Sequence, residues 1–99
     1  MSQFKWGGRF NSLDKITGRP VTGRVAGQFD GTFAPEQEQT LKAVILMSFQ
    51  DLVPELPVAF AEAITNLDDI SSRLSEKASG QLSQHGASGQ ISIVMIRPQ

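Results

Sequence analysis

The chain lacks cysteine and tyrosine altogether, and it has a single tryptophan among its 99 residues. Without cysteine it can form neither a disulfide framework nor a thiolate metal site. The longest apolar runs, residues 43–47 and 93–96, fall far short of the roughly 20 residues that a membrane helix needs. No apolar segment follows Lys5, so we expect no classical secretory signal. We therefore expect a protein of the cytoplasm or of a virion, with no membrane contact.

Charge is sparse but unevenly distributed. Charged residues make up 19% of the chain, and its net charge is −1. Residues 1–34 have a local charge of +3, and residues 35–78 have a local charge of −5. So short a chain forms one small domain at most. Within that domain, the uneven charge predicts a basic N-terminal segment attached to an acidic body.

Glycine is concentrated in the first third of the chain. From Val21 to Phe29, small or apolar residues alternate with more polar ones, a period of two that is typical of a β-strand. Asp30-Gly31 after it is a favoured hairpin turn. Residues 1–34 are therefore predicted to be a basic, Gly-rich arm that contains a short β-hairpin.

Two amphipathic segments predict a helical hairpin over residues 35–80. Pro35 suits the first position of a helix, and Pro54 disfavours helical geometry just before it, so the first helix should end near Val53. Leu46 and Met47 widen its apolar face. A second helix is expected from about Pro57 to Gly80, with a buried seam at these positions: Phe60, Ile64, Leu67, Ser71, Leu74 and Ala78.

The C-terminal segment, residues 81–99, reads as a loop followed by a strand. The β-branched run at 90–97 predicts the strand, and its apolar residues on both faces predict a position inside a sheet, shared between chains or within one. The fold class is accordingly α+β: a helical hairpin with an N-terminal arm or hairpin and a C-terminal strand.

The pentapeptide WGGRF, residues 6–10, is similar to a run near the N-terminus of argininosuccinate lyase. The similarity covers five residues. The large helical core of that family and its Gly-Ser-Ser-rich catalytic loop are missing from this chain, so the resemblance assigns no catalytic residue. Nucleotide-binding glycine motifs and metal-ligand spacings such as HExxH are also missing. We expect no enzyme activity, no cofactor and no metal.

The leading hypothesis is an interaction or assembly subunit of a homo-oligomer, a virion or a larger complex. It would dock on protein partners through the N-terminal arm and the C-terminal strand. The alternative is a small nucleic-acid-binding accessory protein, whose arm would combine cations for phosphate with aromatics for stacking. The candidate partner-binding residues are Trp6, Arg9, Phe10, Arg19, Arg24, Ile93 and Met95.

Overall fold

The computed structural model describes residues 2–56 and 66–98. Three strands form an antiparallel sheet: β1 (Ser2–Leu13), β2 (Pro20–Thr32) and β3 (Ser88–Pro98), in the order β1-β2-β3. Two helices, α1 (Glu38–Leu52) and α2 (Leu67–Gln84), pack on one face of this sheet. The described chain is thus an α+β fold of two layers, which confirms the fold class at that level.

A tight turn between β1 and β2 sets the register of the sheet. The buried Asp14 accepts hydrogen bonds from the backbone N–H groups of Ile16 and Thr17, and Gly18 has a φ of 72°, which favours glycine. This turn places Leu13 opposite Pro20, and every residue of β1 then has a partner on β2 back to Ser2 opposite Gly31.

Both helices have recognisable starts. A single 3-10 turn, Pro35–Gln37, leads into α1, and acidic side chains lie in the first turns, where the helix dipole favours negative charge. Asn66 caps α2, because its side-chain oxygen accepts a hydrogen bond from the N–H of Asp69 at 3.3 Å. The predicted end of the first helix before Pro54 is confirmed, since α1 ends at Leu52.

The core lies between the sheet and the helices. Phe10 of β1 meets Phe49 of α1 edge to face, with ring centroids 5.1 Å apart. The indole of Trp6 packs against Gly27 of β2, where an added Cβ atom would come within 2.8 Å of the ring. The buried apolar residues of the two helices are Leu41, Ile45, Phe49 and Leu52 in α1, and Ile70, Leu74, Ala78 and Leu82 in α2.

The predicted arm is replaced by ordered strands. Residues 2–13 and 20–32 form a long hairpin whose turn is at 14–19, and Asp30-Gly31 lies within β2 rather than in a turn. The arm prediction is wrong because the polar residues of β1 alternate with Phe4, Trp6 and Phe10, which face the helices.

Three details of the predicted helices also need correction. Met47 is 62% exposed, so it does not widen the buried face of α1. The second helix continues through Gly80 to Gln84. The predicted start at Pro57, with Phe60 and Ile64 of the seam, lies outside the described residues. Within them the buried stripe of α2 includes Ile70 and Leu82, which the heptad assignment omitted, whereas Leu67 is half-buried.

The C-terminal strand is confirmed as a strand, but it lies at the edge of this chain's sheet, and β2 is central. Its apolar run is explained by a β-bulge at Val94: Ile93 pairs with Gly27, whereas Met95 pairs with Ala26. Without the bulge, residues three positions apart would point to opposite faces of the sheet. Because of the bulge, Ile93 and Ile96 both point inward. Val94 is left 62% exposed.

Candidate functional site: the outer face of the sheet

The face of the sheet that the helices leave uncovered is polar and basic. Residues directly opposite each other on neighbouring strands point to the same face, so the register defines rows of outward side chains. Lys5 lies opposite Gln28, which lies opposite Ser92, and all three are exposed. The next row, Gly7, Ala26 and Met95, has short or half-buried side chains.

The third row consists of three arginines. Arg9 of β1 pairs with Arg24 of β2, which pairs in turn with Arg97 of β3, and all three are exposed. Strands lie about 4.8 Å apart, so the row spans about 10 Å across the sheet. We call Arg9, Arg24 and Arg97 the arginine row.

The cations of this face have no acidic partner in the described part of the chain. The ion pairs found there join Lys42, Arg73 and Lys77 to acids of the helical side. Of the described outward residues of the strands, Asp30 alone is acidic, and it pairs across the sheet with Gln3 and Gln90. Like charges directly opposite one another destabilise a sheet, so the arginine row costs folding free energy that an anion would offset.

The acidic residues of the described chain lie mainly on the opposite layer. The exposed ones include Asp51 at the end of α1, Glu55 just after it, and Asp68, Asp69 and Glu76 on α2. The asymmetry that the sequence shows along the chain therefore becomes an asymmetry across the fold, with a basic sheet face and an acidic helical face.

A shallow groove runs beside the arginine row. It has a volume of about 410 Å³ and is lined by Gly7, Gly8, Arg9, Arg24, Val25, Ala26 and Met95. Because Gly7 and Ala26 have little or no side chain, the backbone of the central sheet forms its floor. An extended anionic group in this groove would have guanidinium groups along one wall.

The predicted site residues separate into two groups. Arg9 and Arg24 come together on the outer face, and Met95 lies half-buried beside them. Trp6, Phe10 and Ile93 are 3%, 2% and 6% exposed and belong to this chain's own core. Arg19 is exposed in the β1–β2 turn, beyond the row.

Arg97 is missing from every set of site residues predicted from the sequence, and Lys5 belongs only to the cations of the nucleic-acid alternative, not to the candidate partner-binding residues. Arg97 is separated from Arg24 by most of the chain, and its place in the row depends on the pairing of β3 with β2. Lys5 lies on β1, in the outward series that continues through Gly7 to Arg9. The period of two in β1 is the signal that could have identified it.

Neither the known protein-family models nor the curated protein sequences match this chain. The described residues contain no cluster of three or more histidine, cysteine, aspartate or glutamate side chains able to hold a metal ion. Neither α1 nor α2 is long and apolar enough to cross a membrane. The surface geometry is therefore the basis for a functional proposal.

Proposed function

We propose that this chain is a non-catalytic interaction subunit that docks on an anionic macromolecule through the outer face of its sheet. The observation that carries the proposal is the arginine row, three cations brought into register by three strands and without an acidic partner among the described residues. Arginine suits such a surface because its planar fork of donors forms paired hydrogen bonds with phosphate or carboxylate groups.

This proposal keeps the interaction subunit expected from the sequence but moves its docking surface. Trp6 and Phe10 have their packing partners within the chain, so the cations of the sheet face remain as the contact groups. A location in the cytoplasm or in a virion, as predicted from the sequence, would give such a subunit access to anionic partners.

The test is a titration of the ¹⁵N-labelled protein with inorganic polyphosphate, followed by NMR. We expect amide shifts concentrated at Arg9, Arg24, Arg97 and their strand neighbours, with few changes in α1 and α2. Shifts that cluster on the helices, or no shifts at millimolar polyphosphate, would refute the proposed surface.

A second proposal is self-assembly, favoured by the separation of charge into two layers. The basic sheet face of one copy complements the acidic helical face of another, a head-to-tail contact that can repeat. Sedimentation velocity at 20 and 300 mM salt tests it. We expect larger species at low salt that dissociate at high salt, and a monomer under both conditions would exclude this assembly.

A further inference from the structure

We propose that the anionic partner of the sheet face is a nucleic acid duplex, which is contacted through its phosphates without reading of the bases. This inference rests on the proposed function and specifies the ligand of the same surface. The argument depends on the spacing of the cations, the absence of exposed aromatics from the face, and the position of the acidic layer.

The cations match a densely charged ligand. The arginine row places three positive charges within about 10 Å, and Lys5 lies four residues from Arg9 along β1, a distance of about 13 Å. Duplex DNA has one negative charge for about every 1.7 Å of its axis. The sheet face can therefore neutralise three or four phosphates of a duplex. A folded protein partner would need an unusually dense cluster of acidic side chains to match the same cations.

The face lacks the anchors of a protein interface. Stable protein interfaces depend on aromatic or other large side chains that fill desolvated pockets. The described aromatics are buried or half-buried in the core. Near the arginine row, the apolar residues on the outer side are Ala26, Val94 and Met95, and the exposed pair Leu13 and Pro20 lies two rows away beside the β1–β2 turn. A polar surface without large apolar anchors beside its cations fits contacts to the nucleic acid backbone, which carry no sequence information.

The absence of exposed aromatic side chains from the sheet face also favours a duplex over a single strand. Single-stranded nucleic acids are held by aromatic side chains on which unpaired bases stack. Trp6 and Phe10 cannot serve in this way, because they are 3% and 2% exposed on the helix-facing side. The cations of the sheet face then contact phosphates alone, and the duplex has the higher charge density.

The acidic residues do not prevent this contact. Asp30 lies on the sheet face itself, but three rows from Arg24 along β2. The other exposed acids lie on or beside the helices, across the core from the arginine row. Packed layers are about 10 Å apart, and the Debye length at physiological ionic strength is about 8 Å, so their repulsion of a duplex on the sheet face is largely screened. The acidic layer instead disfavours binding in the reverse orientation.

The test measures fluorescence anisotropy of a labelled 20-base-pair duplex at 50, 100 and 200 mM salt. With four phosphate contacts, we expect a log–log salt slope of about −3.6, which is a loss of roughly 100-fold in affinity across this range. The triple variant Arg9→Gln, Arg24→Gln, Arg97→Gln should show a slope of about −0.9 and lose only about 3-fold. Two unrelated duplex sequences should bind equally.

A matched control separates local charge from net charge. The variant Lys15→Gln, Arg19→Gln, Arg73→Gln removes the same number of cations from positions outside the sheet face. It should keep the wild-type slope, and both variants should keep the wild-type thermal unfolding midpoint within a few degrees. An equal loss of binding in the control would overturn the inference.

Polyglutamate that matches the duplex in length and net charge is the control ligand. It distinguishes failure of the duplex inference from failure of the proposed function. If polyglutamate binds through the arginine row and the duplex does not, the ligand is an acidic polypeptide and the duplex inference is wrong. If neither binds at 50 mM salt, the proposed function fails as well. Tighter binding of a single strand than of the duplex would also contradict the inference.

Discussion

The two faces of the sheet consist of the same three strands but meet opposite requirements. On β2, inward Val25, Gly27 and Phe29 are buried, whereas outward Arg24 and Gln28 are exposed. The inner face allows almost no change of volume, because core packing is close to that of a crystal. The outer face is constrained by charge and register. The comparison teaches that fold and proposed function are carried by alternate residues of the same segments.

The strongest way to break this comparison is to place the same charge on adjacent residues of β2. Phe29 is fully buried and stacks on Phe4 with ring centroids 5.1 Å apart. Phe29→Glu should abolish cooperative unfolding, because an unpaired buried charge costs as much as the total stability of a small domain. Gln28→Glu should shift the free energy of unfolding by about 0.5 kcal/mol or less. Urea unfolding followed by circular dichroism measures both, and a folded Phe29→Glu would contradict the assignment of the core.

Replacement of glycine by alanine should change the stability in opposite directions at Gly27 and Gly80. A Cβ at Gly27 would clash with the backbone carbonyl oxygen of Ser92 in β3 and would meet the indole of Trp6 at 2.8 Å, so Gly27→Ala should destabilise by about 1–3 kcal/mol. Gly80 in α2 has open space around it, so Gly80→Ala should stabilise by about 0.5–1 kcal/mol through helix propensity. Thermal unfolding compares the two variants. A stabilising Gly27→Ala would contradict the close packing of Gly27 against both Trp6 and the backbone of β3.

Sequence patterns could identify the inner face more readily than the outer one. The period of two in β2 and the helical spacing of Leu41, Ile45 and Phe49 follow from burial, which repeats locally. The inward Phe4, Trp6 and Phe10 of β1 follow the same period, although their glycine and cation neighbours suggested an arm. The arginine row depends on long-range register, which local periodicity does not contain.

A smaller loss of stability is expected when a hydrogen bond at the outer edge of β3 is removed. The hydroxyl of Ser71 accepts a hydrogen bond from the N–H of Ile93 at 2.8 Å, and Ser75 exchanges hydrogen bonds with the backbone of Ile91 at 3.0 Å. Ser71→Ala should cost about 1–2 kcal/mol, because it leaves a buried N–H without a partner.

Ser79→Ala is the matched control for this edge. Its exposed hydroxyl bonds Glu76 within the same helix, so the substitution should be nearly neutral. Hydrogen exchange at Ile93 should accelerate in Ser71→Ala and remain unchanged in Ser79→Ala. Equal exchange rates at Ile93 in the two variants would show that Ser71 does not protect this edge.

The smallest effect sharpens the account of the outer face. Arg24 has an arginine opposite it on each side, so Arg24→Gln should raise stability by about 0.5 kcal/mol at low salt, and less at high salt. Arg73→Gln should instead lower stability by about 0.3 kcal/mol, because Arg73 pairs with Asp69 one turn away. Urea unfolding at 20 and 500 mM salt measures both, and a loss of stability in Arg24→Gln would mean that the row is paired with acids.

The two outer strands differ in how many further strands they can accept. α2 closes the edge of β3 at Ile91 and Ile93, and the bulge at Val94 interrupts the register beyond that point. For β1, no described residue bonds to the backbone of the outer edge. A chain with one usable edge can pair with a strand of another copy only once. Strand addition between copies would therefore end at a pair and could not extend into a fibre.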